Sequence, residues 1–312
     1  MTRAVVLAYH DVGVRCLSVL LAHGLDIGLV VTHRDSPSET IWFDSVAAVA
    51  AAHGLRLAYA EDLDDGALAR SIREARPDFL FSFYFRRMLT ADTLSVAAQG
   101  ALNMHGSLLP KFRGRVPVNW AVLHGERETG ASLHYMVAKP DAGDLVDQCA
   151  VPILPDDTAG DVFRKVTVAA EIVLDRSVPA LLAGTAPRRP LDLAAGSYFG
   201  GRKPEDGRID WTRPAAQVHN LIRAVAPPFP GAFTTLDGRV ARVLRSSSRC
   251  VATGAPAGTL YLDGDRLFGA CGDGRAVPLL HVEVDDVRLD AADFRKLPGM
   301  RRQATPAPFA SP

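Results

Sequence analysis

Short apolar runs alternate with longer amphipathic runs through the first half of the chain. The short runs, predicted to be strands, cover residues 5–8, 27–31, 57–59, 79–83 and 101–104. The longer runs, predicted to be helices with one polar side, cover residues 12–23, 43–53, 66–75 and 90–98. This alternation is typical of βαβ units around a parallel sheet. The pattern therefore predicts an α/β fold with a doubly wound, mostly parallel sheet, in which ligands bind beyond the carboxyl ends of the strands.

The pattern changes in the second half. Alternation predicts strands over residues 129–136 and 145–153, and a long helix over 158–182 whose first turn is capped by Asp156, Asp157 and Thr158. After a Gly-rich stretch at 194–206 and a short helix at 215–225, turn residues separate short alternating segments, as in a small β-barrel. We expect an N-terminal domain over 1–203, a smaller β-barrel-like domain over 204–300 and a disordered tail over 301–312.

Composition narrows the class of protein. The chain has 312 residues, 48% of them hydrophobic, and its 35 Lys and Arg balance its 35 Asp and Glu, so its charge does not favour nucleic acid or membrane surfaces. No apolar run reaches the roughly 18 residues of a membrane span, and the chain begins with a strand-like run instead of a secretion signal. We expect a cytoplasmic protein with neither a nucleic-acid partner nor membrane insertion. Its oligomeric state stays open.

The segment that ends the fifth predicted strand carries the most distinctive chemistry. Asn103 and His105 lie on the same side of that strand because side chains alternate with period two. A proton-transfer group beside a neutral hydrogen-bond donor suits acyl transfer, in which one group moves protons and the other holds a developing oxyanion. Asp141, on a Pro/Gly-rich loop, is placed to orient the imidazole.

A long stretch around these residues resembles a known family. Residues 103–136, NMHGSLLPKFRGRVPVNWAVLHGERETGASLHYM, are similar without gaps to the signature of the 10-formyltetrahydrofolate-dependent formyltransferases. Residues 8–11, 32–33, 81–84 and 228–233 carry the same resemblance, which extends from about residue 3 to about residue 300. The family's catalytic Asn, His and Asp fall on Asn103, His105 and Asp141.

The resemblance implies transfer of a formyl group from 10-formyltetrahydrofolate, a co-substrate, to a primary amine, without a metal. His105 would move the proton, Asn103 would donate to the oxyanion, and the charge of Asp141 would raise the pKa of His105. The four cysteines lie far apart, which also argues against a metal site. The residues expected to contact the folate are Arg87, Met88, Leu89, Arg115, Val137, Ala138, Lys139, Pro140 and Asp141.

The acceptor amine is less well defined. Within the family the sequence is most similar to the formyltransferase domain of the bifunctional polymyxin-resistance enzyme, which formylates UDP-4-amino-4-deoxy-L-arabinose for lipid A modification. The alternative is methionyl-tRNA formyltransferase, whose early loop is typically basic and Gly-rich, whereas residues 32–40 here are close to neutral. A third hypothesis is a protein that binds or hydrolyses formyltetrahydrofolate, with a vestigial sugar pocket.

Several nearby polar residues have simpler interpretations. Ser107 lacks a Gly-x-Ser-x-Gly elbow and is expected to be a turn hydroxyl. Arg113, across Gly114 from Arg115, is equally compatible with solvated surface charge. The scattered histidines, expected to be surface or core residues and not ligands, are His33, His124, His134, His219 and His281.

Overall fold

The computed structural model describes residues 1–37, 39–236, 238–296 and 302–303. The chain forms two compact units, the first from residues 1–117, 129–151 and 163–200, and the second from 118–128, 152–162 and the chain from 201 onward. The tail predicted over 301–312 lies outside the described residues, apart from 302–303. No helix in the described part of the chain is long and apolar enough to cross a membrane.

The first unit contains a central sheet of seven strands. Its order is β3-β2-β1-β4-β5-β7-β8, and a short pair, β6 and β9, lies apart from it. The strands are β1 Arg3–Ala8, β2 Asp26–Thr32, β3 Leu57–Tyr59, β4 Phe79–Phe83, β5 Gly100–His105, β6 Arg113–Gly114, β7 Glu128–Tyr135, β8 Leu145–Pro152 and β9 Tyr198–Phe199. The strands from β1 to β5 pair in parallel, and β7 pairs antiparallel to β5. This is the mostly parallel sheet that the sequence predicts.

Helices connect these strands, and two of them are shorter than predicted. The helices are α1 His10–Ala22, α2 Val46–Ala52, α3 Asp65–Ala75, α4 Ala91–Leu94, α5 Pro117–Leu123 and α6 Ala159–Leu182. Helix α2 begins later than predicted because Ser45 Oγ caps it by accepting the Ala48 amide at 3.3 Å. The prediction of a helix over 90–98 is wrong beyond Leu94, since the Gln99 amide donates to Asp78 O at 2.8 Å and draws the chain into β5.

Burial on both faces explains the apolar character of the central strands. Every residue of β4 is buried, as expected for a parallel strand covered by helices on both sides. One of the hydrophobic clusters against the sheet joins Val5, Leu29 and Leu80 from the strands to Leu68 and Ile72 of α3. Because β2 and β4 flank β1 on opposite sides, the chain reverses its winding direction between β1 and β4. Ligand crevices in doubly wound sheets lie at such a point, and β5 is the next strand.

The second unit is built around an antiparallel sheet, as the turn residues predict. Its elements are α7 Ala215–Ala224, β10 Ala232–Leu236, β11 Arg239–Ser246, β12 Val251–Ala252, β13 Thr259–Asp263, β14 Arg266–Ala270, β15 Arg275–Val284, β16 Val287–Leu289, α8 Ala291–Lys296 and β17 Arg302–Gln303. The strand order is β10-β11-β15-β14-β13-β17, and β12 and β16 also pair with β15. Val218 and Ile222 of α7 pack in one core with Val243 and Val282 of the sheet.

Candidate active site

Asn103, His105 and Asp141 come together at the carboxyl end of β5. Strand β5 supplies the first two, and the loop after β7 supplies Asp141. The Asp141 Oδ1 atom lies 3.6 Å from His105 Nδ1 and 3.5 Å from Asn103 Nδ2. Asp141 has a φ of 49°, in the left-handed region that Asp tolerates better than most residues. The structure therefore brings all three predicted catalytic side chains into one cluster.

The hydrogen bonding of His105 fixes which of its nitrogens faces the carboxylate. His105 Nε2 lies 2.8 Å from the carbonyl oxygen of Phe112, and because a carbonyl only accepts, Nε2 carries the proton. In the neutral ring the lone pair is then on Nδ1, the atom that faces Asp141. Phe112 itself has a φ of 55°, an unfavourable conformation for a bulky residue, of a kind that tends to occur at functional sites.

The pKa of His105 shifts in the direction opposite to our expectation. The ring is 6% exposed, and this burial lowers the pKa of His105 because it penalises the charged imidazolium. Asp141 and the Phe112 carbonyl raise the pKa, as the sequence suggests, but by less than burial lowers it. His105 is therefore held neutral, able to accept a proton.

Asp141 is held as a carboxylate. Burial raises the pKa of Asp141, but His105, His134 and the Gly114 amide together lower it, and the net pKa lies well below the usual range. The Gly114 amide donates to Asp141 Oδ2 at 2.8 Å. Gly114 has a φ of 96°, which suits glycine, and a Cβ there would lie 2.1 Å from Phe199 O.

His134 belongs to this cluster although the sequence gives it no special role. It lies directly opposite Asn103 in the β5–β7 pair and is 2% exposed. Its Nδ1 donates to the carbonyl of Tyr135 at 2.9 Å, so its Nε2 accepts from Asn103 Nδ2 at 3.1 Å. His134 Nε2 is also 3.5 Å from Asp141 Oδ1. The expectation that His134 is an unremarkable core or surface residue is incomplete, because it orients the Asn103 carboxamide.

The residues predicted to contact folate fall in different places. Val137 and Ala138 line an open pocket of about 610 Å³ together with Ala142, Gly143 and Arg188. This pocket flanks the loop that carries Asp141. Lys139 and Pro140 complete that loop between Ala138 and Asp141, outside the pocket lining.

The other predicted folate contacts are outside the lining of this pocket. The Arg87 guanidinium donates to Ala60 O at 2.7 Å and Leu63 O at 2.6 Å, Met88 is exposed and Leu89 is packed in the core. The Arg115 amide donates to Phe199 O at 3.0 Å, and its side chain is exposed.

Two other expectations concern polar groups near the site. Ser107 Oγ donates to Lys111 O at 2.6 Å, which confirms the prediction of a turn hydroxyl. Across the described ranges, no group of three or more His, Cys, Asp or Glu is arranged to hold a metal ion.

Comparison with known structures shows a similar fold in several formyl-transferring enzymes. The N-formyltransferase from Helicobacter canadensis, solved with folinic acid and dTDP-3-aminofucose, is 18% identical with a TM-score of 0.71 over 89% of this chain and 99% of that chain. WlaRD, a sugar 3N-formyl transferase solved with dTDP and 5-N-formyl-THF, is 17% identical with a TM-score of 0.70 over 89% of this chain and 97% of that chain. Glycinamide ribonucleotide transformylase 1 from Symbiobacterium toebii is 22% identical with a TM-score of 0.53 over 62% and 95%.

Family models match most of the sequence. The formyl transferase model matches residues 19–178, and the model of the formyl transferase C-terminal domain matches residues 202–296. The first match alone covers more than half of the 312 residues and includes Asn103, His105 and Asp141. The chain therefore belongs to the formyl transferase family and is an enzyme of that family.

Proposed function

We propose that this enzyme transfers the formyl group of 10-formyltetrahydrofolate to the 4-amine of a UDP-linked amino sugar, with UDP-4-amino-4-deoxy-L-arabinose as the first candidate. The observation that carries the proposal is the convergence of Asn103, His105 and Asp141 around one point at the end of β5. Formylation of this sugar in lipid A modification is the role that the sequence resemblance implies.

The geometry supports a specific path for the proton. The amine nitrogen attacks the formyl carbon, a carbon–nitrogen bond forms, and the carbonyl oxygen becomes an oxyanion. His105 Nδ1, whose lone pair is free in the neutral ring, takes the proton from the attacking nitrogen, and Asp141 stabilises the resulting imidazolium. The oxyanion then re-forms the carbonyl double bond as the bond from carbon to the folate nitrogen breaks, and His105 passes its proton to that nitrogen.

Asn103 supplies the oxyanion donor. One hydrogen of its carboxamide is donated to His134 at 3.1 Å, which fixes the plane of the group. The second hydrogen points toward Asp141 Oδ1, which is 3.5 Å from Asn103 Nδ2 and so at the limit of a hydrogen bond. This weakly held hydrogen is therefore the one available to the oxyanion. A donor of this kind is worth roughly 10²–10³ in rate.

The folate is proposed to bind along the loop that carries Asp141. Val137 and Ala138 line the 610 Å³ pocket beside that loop, and the resemblance assigns contacts to Arg87, Met88, Leu89 and Arg115 as well. The structures of similar fold support a folate donor, because two of them were solved with folinic acid or 5-N-formyl-THF. The same two were solved with dTDP-3-aminofucose or dTDP, which supports a nucleotide-linked acceptor.

The segment at residues 32–40 favours a sugar over methionyl-tRNA. Its charges are paired within the protein: Arg34 Nη2 lies 2.5 Å from Asp62 Oδ2, and Arg86 Nη1 lies 2.9 Å from Glu39 Oε1. Asp35 accepts from the Tyr9 hydroxyl at 2.8 Å. Binding of an RNA backbone needs clustered Lys and Arg side chains that can contact phosphates. Here Arg34 and Arg86 are instead paired with carboxylates of the protein.

The same proposal includes a cytoplasmic enzyme with a catalytic domain over 1–203 and a smaller domain over 204–300. The four free cysteines support a reducing compartment, and the separate family match over 202–296 supports the smaller domain.

Parallel assays with different acceptors test the proposed function. UDP-4-amino-4-deoxy-L-arabinose, a dTDP-linked amino sugar and methionyl-tRNA are each supplied at one salt concentration with 10-formyltetrahydrofolate. The proposal predicts the highest kcat/KM for the UDP sugar and no formylation of methionyl-tRNA. Preferential formylation of methionyl-tRNA would replace the proposal by its alternative.

A further inference from the structure

The guanidinium of Arg113, the residue between Phe112 and Gly114, is buried without a counter-charge. Arg113 is 7% exposed, and its Nε and Nη1 atoms are enclosed with no hydrogen-bond partner among the described residues. Within the same part of the chain, no carboxylate lies within 4.0 Å of the guanidinium. Among the residues that the structure describes, the aromatic ring it contacts is that of Tyr198, whose centroid is 6.0 Å from Cζ. Sequence alone allows Arg113 to be solvated surface charge, and the structure shows instead that it is enclosed.

A buried, unpaired guanidinium is unfavourable for folding. Arg has five N–H donors and cannot lose its charge in a protein, so it cannot relieve its burial by becoming neutral. Buried charges are accordingly paired or hydrogen-bonded in most proteins, and an exception needs an explanation. Binding of an anionic ligand is the explanation that also gives the residue a use.

The backbone of Arg113 is fixed to the catalytic cluster on both sides. The carbonyl oxygen of the residue before it, Phe112, accepts a hydrogen bond from His105 Nε2 at 2.8 Å, and the amide of the residue after it, Gly114, donates to Asp141 Oδ2 at 2.8 Å. Arg113 pairs with Tyr198 in the short β6–β9 ladder, and Tyr198 is 56% exposed. The Arg113 backbone therefore lies between two residues that contact His105 and Asp141, so its guanidinium lies within the length of one arginine side chain from that backbone, next to an aromatic ring that solvent reaches.

We propose that the Arg113 guanidinium binds the diphosphate of the nucleotide-linked acceptor and so sets the distance between that diphosphate and the amine at His105. This inference rests on the proposed function. In a nucleotide 4-amino sugar, only the pyranose ring separates the amine from the diphosphate. Arg matches phosphate oxygens with two parallel N–H donors, which a buried guanidinium can do without competition from water.

The other anion that enters such a site is the glutamate carboxylate of the folate. It lies farther from the reacting nitrogen, because an aromatic ring, an amide and a further carbon separate the two. A residue anchored between the partners of His105 and Asp141 suits the shorter separation, so we assign Arg113 to the diphosphate.

Equilibrium binding to the full chain tests this assignment without catalysis. The probes are UDP and uridine, measured by calorimetry on the wild type, Arg113→Met, Arg113→Lys and the surface control Arg56→Met. Arg113→Met is expected to weaken the binding affinity for UDP at least tenfold. Its affinity for uridine should stay within about twofold of wild type, since uridine has no phosphate. Arg113→Lys should give an intermediate UDP affinity, and Arg56→Met should match the wild type.

Two results would overturn the assignment. If Arg113 has a purely structural role, Arg113→Met would weaken the affinities for UDP and for uridine equally. It would also lower the thermal unfolding midpoint of the ligand-free protein, whereas we expect that midpoint to be unchanged or higher. A folate role would raise the KM for 10-formyltetrahydrofolate and leave that for the sugar unchanged. If Arg113→Met does not fold, Arg113→Lys decides by the same UDP-to-uridine ratio. Wild-type protein that does not bind UDP would contradict the proposed function itself.

Discussion

Asn103 donates from Nδ2 to Nε2 of His134 at 3.1 Å, directly across the antiparallel pair formed by β5 and β7. The His134 ring is in turn fixed by its Nδ1–H bond to the Tyr135 carbonyl at 2.9 Å. This chain of two hydrogen bonds holds the carboxamide in one plane, with its nitrogen toward the catalytic cluster. Preorganised donors lower the barrier because they need no reorganisation when charge develops.

Loss of this support should slow turnover without weakening substrate binding. We expect His134→Ala to lower kcat by roughly tenfold or more, but by less than Asn103→Ala, whose effect should approach the 10²–10³ typical of an oxyanion donor. His134→Gln keeps an acceptor and should recover part of the loss. The control is His53→Ala, an exposed residue that follows α2. A kcat for His134→Ala equal to that of the control would show that the contact has no catalytic value.

Removal of the proton-transfer group should lower kcat more than the loss of His134 does. His105→Ala is expected to lower kcat by about 10²–10⁴, the usual range for general acid–base catalysis. Asp141→Asn should also be strongly impaired, because it keeps the side-chain shape but loses the charge that supports the imidazolium. Steady-state kinetics, with circular dichroism to confirm folding, provide the measurement. Wild-type turnover in His105→Ala would remove this residue from the mechanism.

The pH dependence follows from the burial of His105. Burial lowers its pKa, so the neutral ring that accepts a proton persists below the ordinary His value of about 6.5. The acid limb of kcat/KM that reports His105 should therefore lie below 6.5. Asp141 raises the pKa of His105, so Asp141→Asn should move this limb to still lower pH. Protonation of the substrate amine would produce a limb that the variant leaves in place, which distinguishes the two origins.

The sequence predicts only those site residues that lie on one strand or that the family signature assigns. Alternation along β5 places Asn103 and His105 on one side, and the signature adds Asp141. His134 is opposite Asn103 only through the β5–β7 register, a pairing between distant segments that no local pattern reveals. The contact from His105 to the Phe112 carbonyl involves a backbone atom, which leaves no signature in residue type. Burial depends on the whole fold, which is why the direction of the His105 pKa shift and the enclosure of Arg113 were not predictable.

His10 offers a test of the structure that is independent of catalysis. Burial and then the Arg86 charge lower the pKa of His10 to about 3, and its ring stacks on Phe43 with centroids 3.8 Å apart. In the unfolded chain His10 binds a proton as the pH falls below its ordinary pKa of 6.5, whereas in the folded chain it stays neutral until the pH nears 3. The contribution of neutral His10 to the free energy of unfolding is therefore complete above pH 6.5 and is lost as the pH decreases toward 3.

The expected size of this effect is measurable. Between about pH 7.5 and about pH 5.5 the wild type should lose about 1 kcal/mol more unfolding free energy than His10→Asn, which has no titrating group there. Asn is chosen because His10 has a φ of 68°, a conformation that Asn tolerates. Urea unfolding of both proteins at the two pH values gives the comparison. Equal losses would show that His10 titrates normally and is not buried as described.

The central claim is that one formyl group passes from the folate to the sugar amine at the cluster of Asn103, His105 and Asp141. The most direct measurement follows both products in one reaction of the wild-type enzyme with UDP-4-amino-4-deoxy-L-arabinose, using mass spectrometry for the N-formyl sugar and absorbance for tetrahydrofolate. The account predicts equal amounts of the two products, negligible tetrahydrofolate without the sugar, and loss of both products in His105→Ala. Release of tetrahydrofolate and free formate at the same rate with and without the sugar would contradict it and identify a hydrolase.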